Sequence, residues 1–314
     1  MRTGRWPESA DNAVTAYLQW RRENSTLSPR TLRDYSKTLR RVLQIMGELN
    51  LHTYPTQINA KDIKALLASM EKDGYTVATR RSYLHILRAW TEYYGNNIIR
   101  RMGPRWPHDD RPTVDWLSLD QANELLRTPM TPMQELAVHC ELCLGLRRRE
   151  VVRLVPENIH LDAGYLDVVG KGSMGGKPRR LPFHPDTARV IERYVSYRNT
   201  LIAETRAATR SRPVTVPDRL LIYRRGRTLC IYNSDSCSGF DKAVKENLNK
   251  KLSFKFGNHT LRRTFGREMH RAGVDLLTIC KLMGHESVDQ TIKYLGLNMD
   301  DMMAGMRMSP FRRR

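Results

Sequence analysis

Cysteine is scarce in this chain, with five residues among 314. An odd number in a chain without a secretory leader argues against a disulfide framework. Cys140 and Cys143 form a CxxC motif, but no second CxxC or nearby histidine pair completes a zinc ligand set. Because free cysteines are usually buried, we predict that both lie on the inner face of a helix. We expect no metal and no other cofactor.

Long hydrophobic runs are also missing. No stretch approaches the ~18 consecutive apolar residues of a membrane span. The first residues, MRTGRWP, carry charge but lack the apolar core of a signal peptide. The sequence therefore predicts a cytoplasmic protein.

Acidic residues are outnumbered, 33 against 53 Lys and Arg, which gives a net charge of +20 and a pI near 10.1. Such an excess favours a polyanionic partner, because neutralised phosphates release condensed counterions. Ribosomal and lipid-surface proteins can be equally basic, so charge alone indicates a nucleic acid without identifying one. The length favours two domains.

Residues 1–110 have the pattern of a small helical domain. Ser28 and Pro29 are a typical helix start, and apolar residues then recur at helical spacing. We predict helices over about 12–23, 29–46, 59–73 and 79–94. Basic residues line their polar sides and are candidates for contacts with a phosphate backbone, although a solvated face is an equally good interpretation for any one of them. The candidates are Arg30, Arg33, Lys37, Arg40, Arg80, Arg81 and Arg88.

Residues 100–112 contain three prolines and no apolar period, which predicts a linker. Residues 111–314 form the second predicted domain, with a tail over 297–314. Helix starts are expected at Ser118 and at Thr131, and Gly145 ends the helix that follows Thr131. A hairpin is predicted from strands 165–169 and 179–183, followed by a loop over 203–217 and a strand over 220–223. Further helices are predicted at about 186–201, 239–252, 259–272, 275–283 and 287–295.

Four short clusters in this domain carry reactive side chains. They are GLRRRE at 145–150, GKG at 170–172, HTLR at 259–262 and LMGHES at 282–287, the last followed by Tyr294. Each is weak by itself: an exposed turn lysine accounts for Lys171, and a packed aromatic accounts for Tyr294. The i, i+3 spacing places His259 and Arg262 on one helix face, where both can meet the same anion.

In order and local sequence these clusters resemble the tyrosine recombinase, or phage integrase, family. The longer matches are HTLRRTFGREM at 259–269 and LMGHESVDQTIKYLG at 282–296, and the resemblance covers about 114–296. It implies a mainly α fold with a small β-sheet, in which a helical core-binding domain and an α+β catalytic domain form a clamp around DNA.

The resemblance also implies roles for individual residues. Tyr294 is expected to attack the scissile phosphodiester and form a 3′-phosphotyrosine. Arg147, Arg262 and His285 are expected to bind its non-bridging oxygens. Lys171 is expected to protonate the departing 5′-oxygen.

His259 is expected to assist the tyrosine, and Glu150 to support Arg147. The turn GKGSMGGK at 170–177 is longer than usual for the family, so Lys177 is the alternative general acid.

The tail has an apolar stripe at Met299, Met302, Met303 and Met306. The resemblance suggests docking on a neighbouring protomer, and docking on the chain's own core is the alternative. The implied partner is double-stranded DNA with paired inverted core sites, bound by a homodimer to homotetramer, and the implied location is the nucleoid.

Three activities remain open within the family: integration of a mobile element, resolution of dimers and inversion. Two further alternatives are a type IB topoisomerase-like enzyme and a DNA-binding protein without catalytic activity. The target DNA sequence is not predicted, because base recognition depends on which side chains reach the grooves.

Overall fold

The computed structural model describes residues 9–106, 115–170, 178–209 and 213–296, together with Met303 and Arg307. The chain falls into two compact units that divide between residues 112 and 113. In the described part of the chain, none of the helices has the length and apolar character needed to cross a membrane.

The first unit is helical throughout its described residues. Its helices are α1 (Ala10–Asn24), α2 (Pro29–Glu48), α3 (Ala60–Lys72), α4 (Val77–Tyr93) and α5 (Ile98–Met102). The Ser28 hydroxyl accepts from the Thr31 amide at the start of α2, with Pro29 in the first turn, as predicted. The five helices share a core that includes Trp90, which is fully buried.

The predicted linker begins too early. Residues 98–102 form α5, which Gly103 ends in the left-handed conformation, and Ile99 is buried in the core of this unit. Trp106 packs against the same core. The prolines made this stretch resemble a linker. The side chains of Ile99 and Trp106 nevertheless pack on the core of the first unit, so the stretch up to Trp106 belongs to that unit.

The second unit is mostly helical with two small antiparallel sheets. Its helices are α6 (Leu119–Arg127), α7 (Pro132–Val138), α8 (Arg148–Arg153), α9 (Pro185–Thr209), α10 (Ser238–Asp241), α11 (Thr260–Arg271), α12 (Leu276–Met283) and α13 (Val288–Leu295). Helix α7 continues as a π-helical turn over His139–Cys143, α10 continues as one over Lys242–Glu246, and a 3₁₀ turn covers Pro156–Asn158. Ser118 and Thr131 cap α6 and α7 as predicted.

The first sheet has the order β1 (Ile159–His160), β2 (Tyr165–Val169) and β3 (Pro178–Pro182). Leu166 of β2 faces Leu181 of β3 in register, and both are buried, so the predicted hairpin is confirmed. The second sheet pairs β4 (Ile222–Arg225) with β5 (Thr228–Ile231) around Gly226. Strands β1 and β5 were not predicted.

The predicted loop over 203–217 is wrong in its first part, because α9 extends to Thr209. Leu201 and Ile202 are buried against Ile222 and Leu229 of the second sheet. The Thr205 hydroxyl is buried and donates to the Leu201 carbonyl at 2.7 Å. This small apolar cluster extends the helix through a sequence that is otherwise polar and basic.

The two motif cysteines lie in the π-helical turn after α7. Cys140 is buried and Cys143 is partly buried. Burial raises the pKa of the Cys143 thiol to about 11 and that of Cys140 further. Both thiols are therefore protonated packing groups at neutral pH, which agrees with the predicted burial.

Gly145 is required where α7 and its π-helical turn give way to α8. Its φ is +62°, in the left-handed region, and an added Cβ would lie 2.3 Å from the Phe265 ring on α11. Gly226 has a similar φ of +61° but no atom within 4 Å of an added Cβ. The two glycines therefore share a backbone requirement and differ in packing.

We predict that Gly145→Ala lowers the free energy of unfolding by more than Gly226→Ala. The left-handed conformation costs an alanine about 1–2 kcal/mol at either site. The clash with Phe265 adds about 1–3 kcal/mol at position 145 only. Urea unfolding of the two variants checks this, and equal losses would contradict the packing argument.

Candidate active site

The structure brings most of the predicted site residues together in the second unit. Arg147 precedes α8, His259 precedes α11, Arg262 lies in the first turn of α11, and His285 lies between α12 and α13. Tyr294 is in the last turn of α13. Lys171 and Lys177 lie outside the described residues.

The carboxylate of Glu150 is the centre of this group, with its side chain only 4% exposed. It accepts from Arg147 Nη1 at 2.9 Å and from the Arg147 amide at 2.8 Å. Arg179 donates to both carboxylate oxygens, at 3.1 and 2.9 Å. Burial opposes ionisation, but the hydrogen bonds and charges of Arg179 and Arg147 together outweigh it and lower the pKa of Glu150. The group is therefore a carboxylate at neutral pH.

Three consecutive carbonyls at the end of α12 accept hydrogen bonds from three arginines. Leu282 O accepts from Arg179 Nε at 3.0 Å, and Gly284 O accepts from Arg147 Nη2 at 3.0 Å. Met283 O accepts from Nη2 of Arg262, whose Nη1 donates to Gly145 O. Cations are favoured at a helix C-terminus, where carbonyls lack intrahelical partners.

Arg262 is almost completely buried, at 2% exposure, and lies 3.8 Å from Glu150. Burial and the neighbouring Arg147 lower its pKa to about 10, so it remains charged at neutral pH. An arginine has five N–H donors. The two carbonyl bonds use two of them, which leaves donors of this buried cation for an anion.

His285 contacts the buried Thr291, with 2.8 Å between Nδ1 and Oγ1. Burial, followed by the charges of Arg262 and Arg147, lowers the pKa of His285 to about 3. Its imidazole is therefore neutral at physiological pH.

Tyr294 lies between two histidines. Its hydroxyl is 3.4 Å from His259 Nδ1, and its ring centroid is 5.2 Å from that of His285. Burial raises the pKa of the hydroxyl, and the nearby Arg262 and Arg263 only partly offset this effect. Burial and Arg263 lower the pKa of His259. A protonated phenol therefore faces a neutral imidazole.

Sequence reasoning missed Arg179. It lies on β3 with its side chain 12% exposed, directly beneath Gly284, where an added Cβ would be 2.9 Å from its Nη1. The signal was the pair Arg179 and Arg180: successive residues of a strand point to opposite faces, so one arginine of the pair has to face inward.

The basic residues predicted to contact DNA are placed differently from one another. Arg30, Arg33, Lys37, Arg40 and Arg81 are exposed, and Arg88 is partly buried. Arg80 was assigned to the polar side of α4, but it is buried and its Nη2 lies 2.9 Å from the Glu71 carboxylate. Its charge is satisfied within the unit, so Arg80 is the weakest of these candidates.

We predict that Arg179→Met and Glu150→Gln are each strongly destabilising, because each leaves charged partners of a buried cluster uncompensated. Loss of one partner of a buried pair costs about 3 kcal/mol. The double variant is expected to cost less than the sum of the two by about 1–3 kcal/mol. Urea unfolding of the four proteins measures this coupling.

The matched control is Arg180→Met, the next residue of β3. Its side chain is 63% exposed and pairs with Asp167, so we expect a cost below about 1 kcal/mol. Strict additivity of the two single changes would contradict a shared charge cluster.

Comparison with known proteins shows the family to which both parts of the chain are similar. Residues 115–300 match the model of the phage integrase family, and residues 14–94 match the phage integrase N-terminal SAM-like domain. Among curated proteins, tyrosine recombinase XerD of Oceanobacillus iheyensis is 25% identical over 90% of this chain and 92% of its own length. Tyrosine recombinase XerC of Pelotomaculum thermopropionicum is 27% identical over 90% of this chain and 92% of its own.

Solved structures share the fold at lower identity. A Tn1549 transposon integrase in complex with a circular intermediate DNA gives a TM-score of 0.67 at 17% identity, covering 94% of this chain and 98% of that one. A lambda integrase dimer bound to a core site gives 0.64 at 17% identity, covering 96% and 97%. The predicted fold class, a mainly α protein with a small β-sheet and a helical N-terminal domain, is confirmed. The chain belongs to the phage integrase family, the tyrosine recombinases that cleave and rejoin DNA.

Proposed function

We propose that this chain is a site-specific recombinase that cleaves a DNA strand with Tyr294 and holds its 3′ end as a phosphotyrosine. The observation that carries this proposal is the position of the Tyr294 hydroxyl, 3.4 Å from His259, with its ring centroid 5.8 Å from the guanidinium carbon of buried Arg262. The nucleophile, a proton acceptor and a buried guanidinium therefore lie side by side.

Arg147 and Arg262 bind the non-bridging oxygens of the scissile phosphate in this proposal. Both guanidiniums are already oriented by Glu150 and by backbone carbonyls, so they do not reorganise as charge develops on the pentacovalent phosphorus. Arginine charge thereby stabilises the transition state, and the bond energy is kept in the phosphotyrosine link.

His259 receives the phenolic proton as the Tyr294 oxygen attacks phosphorus. The hydroxyl is protonated before attack, since burial raises its pKa, and the imidazole is neutral and able to accept. This assignment requires the His259 proton on Nε2, because Nδ1 faces the hydroxyl. Return of that proton accompanies rejoining.

His285 donates from Nε2 to a phosphate oxygen. As a neutral ring it can do so only if Nδ1 accepts from the Thr291 hydroxyl. Thr291 has one hydroxyl proton, and its contact to His285 is 2.8 Å, whereas that to the Ser287 carbonyl is 3.5 Å. The proposal therefore assigns the threonine proton to the shorter contact, and with it the Nε2–H tautomer to His285.

Protonation of the departing 5′-oxygen is assigned to Lys171, with Lys177 as the alternative; both lie outside the described residues. Glu150 supports Arg147 in this proposal. The exposed residues Arg30, Arg33, Lys37, Arg40 and Arg81 are proposed to contact DNA phosphates, in a clamp formed by domains 1–110 and 111–314.

The proposed partner is duplex DNA with paired inverted core sites, bound by several copies of the chain in the nucleoid. The lambda integrase dimer on its core site and XerH bound to its difH substrate support this assignment by analogy. Tail exchange through the methionine stripe stays a prediction, because Met299, Met302 and Met306 lie outside the described residues. The transposon integrase among the similar structures supports element integration by analogy, and dimer resolution and inversion stay open beside it.

We predict that Tyr294→Phe abolishes covalent protein–DNA adducts and leaves DNA binding within about twofold, because only the nucleophilic oxygen is lost. Adducts trapped by denaturant from the wild-type protein are digested, the attached peptide is identified by mass spectrometry, and the DNA ends are sequenced to define the site. An adduct that persists in the variant would show that another residue attacks.

We predict that His285→Gln weakens the acid sensitivity of folding. The pKa of His285 is about 3 in the folded chain and near 6.5 in an unfolded one. Between these values the unfolded chain takes up a proton that the folded chain does not, so stability falls as the pH falls from 6.5 towards 3. Urea unfolding at pH 7 and pH 5 should show a smaller loss in His285→Gln than in the wild type. An equal loss would contradict a neutral buried imidazole.

A further inference from the structure

Helix α11 has a second face, directed away from the phosphate-binding arginines. Thr260, Thr264 and Arg267 lie on it at spacings of four and three residues and meet the segment 115–117, which we call the entry strip. Thr260 Oγ1 donates to Asp115 Oδ2 at 2.7 Å, and the Leu117 amide donates to Thr264 Oγ1 at 2.9 Å. The strip is thus fixed along two turns of α11.

Arg267 completes this face. Its guanidinium carbon lies 4.3 Å from the centroid of the Trp116 ring, and the residue is only 2% exposed. On its other side, Nη1 donates to the carbonyl of Leu295 at 3.3 Å. Leu295 is the last residue of α13 and follows Tyr294 directly.

Helix α11 is in close contact with Leu295 of α13 and with Met283 of α12. A Cβ added to Gly266 would lie 2.8 Å from Leu295 Cδ2 and 2.9 Å from Met283 Sδ. Glycine therefore lets α11 approach the helix of the tyrosine, and Arg267 binds its last carbonyl. A cation at that end also stabilises the helix through the carbonyl dipoles.

We propose that Arg267 is a positioning residue for Tyr294, held between the Trp116 ring and the C-terminus of α13. The inference rests on the proposed role of Tyr294 as the nucleophile. In this inference Arg267 sets the distance between the Tyr294 oxygen and the phosphate, while Arg147 and Arg262 bind the phosphate itself.

A purely space-filling role does not explain this residue. Burying a guanidinium costs free energy that an apolar side chain of similar length avoids. The contacts use the features that only arginine combines: a flat face on an indole and N–H donors at a carbonyl. The positive charge and the planar shape of the guanidinium are therefore the properties to test.

The experiment measures single-turnover adduct formation at saturating DNA, the Kd for DNA and the unfolding midpoint. The probe is a nicked duplex carrying the site identified from Tyr294-linked DNA ends. We expect Arg267→Met to form the adduct about 10- to 100-fold more slowly, because displacement of a reacting group by about 1 Å costs roughly 100-fold in rate. Its Kd should stay within twofold, and Arg267→Lys should recover part of the rate.

Arg271→Met is the matched control, since Arg271 is one turn further along α11, 48% exposed and paired with Glu268. It should react at the wild-type rate. Trp116→Leu keeps an apolar side chain without the aromatic face and provides a second test should Arg267→Met not fold; we expect a several-fold slower reaction with unchanged Kd.

Two results would overturn the positioning role: a rate for Arg267→Met and Trp116→Leu within twofold of the wild type, or parallel losses of rate, Kd and unfolding midpoint. In either case a normal wild-type adduct leaves the proposed function standing. A wild-type protein that forms no adduct at Tyr294 would instead overturn the proposed function, and this inference with it.

Discussion

The carboxylate of Glu150 holds together a group of cations that would otherwise repel one another. Arg147, Arg179 and Arg262 all lie within 4 Å of its oxygens. One negative charge among three positive ones leaves an excess of two, and the carbonyls of residues 282–284 and Gly145 take part of the remaining donor capacity. The arginines are thereby oriented in the absence of DNA without being neutralised, which is the state a phosphate-binding site requires.

Burial is the main cause that lowers the pKa of His259 and His285, and the positive charge of the nearby arginines adds to it. Both imidazoles are therefore neutral beside several cations. A neutral histidine has one donor and one acceptor, and its partner decides which nitrogen is which. In the proposed mechanism Tyr294 and Thr291 are those partners, and their contacts are assigned so that His259 accepts a proton and His285 donates to the phosphate.

Sequence patterns predicted the parts of this site that depend on local signals. The helix predicted over 287–295 is α13, which Ser287 caps, and this helix places Tyr294 in its last turn. Contacts between distant segments were beyond such signals. Arg179 reaches Glu150 across 29 positions of the chain, and Arg80 is neutralised by Glu71 from a neighbouring helix. The extension of α9 to Thr209 likewise depends on apolar contacts with the second sheet.

The raised pKa of Tyr294 bears on the timing of the proposed reaction. Burial opposes the phenolate, and two of the arginines that would stabilise it, Arg262 and Arg147, are the ones proposed to bind the phosphate. When the phosphodiester arrives, its negative charge offsets those cations, so the phenolate becomes less accessible at the moment it is needed. Proton transfer to His259 therefore has to accompany formation of the oxygen–phosphorus bond. The site thus favours a tyrosine that becomes a nucleophile only during attack on the phosphate.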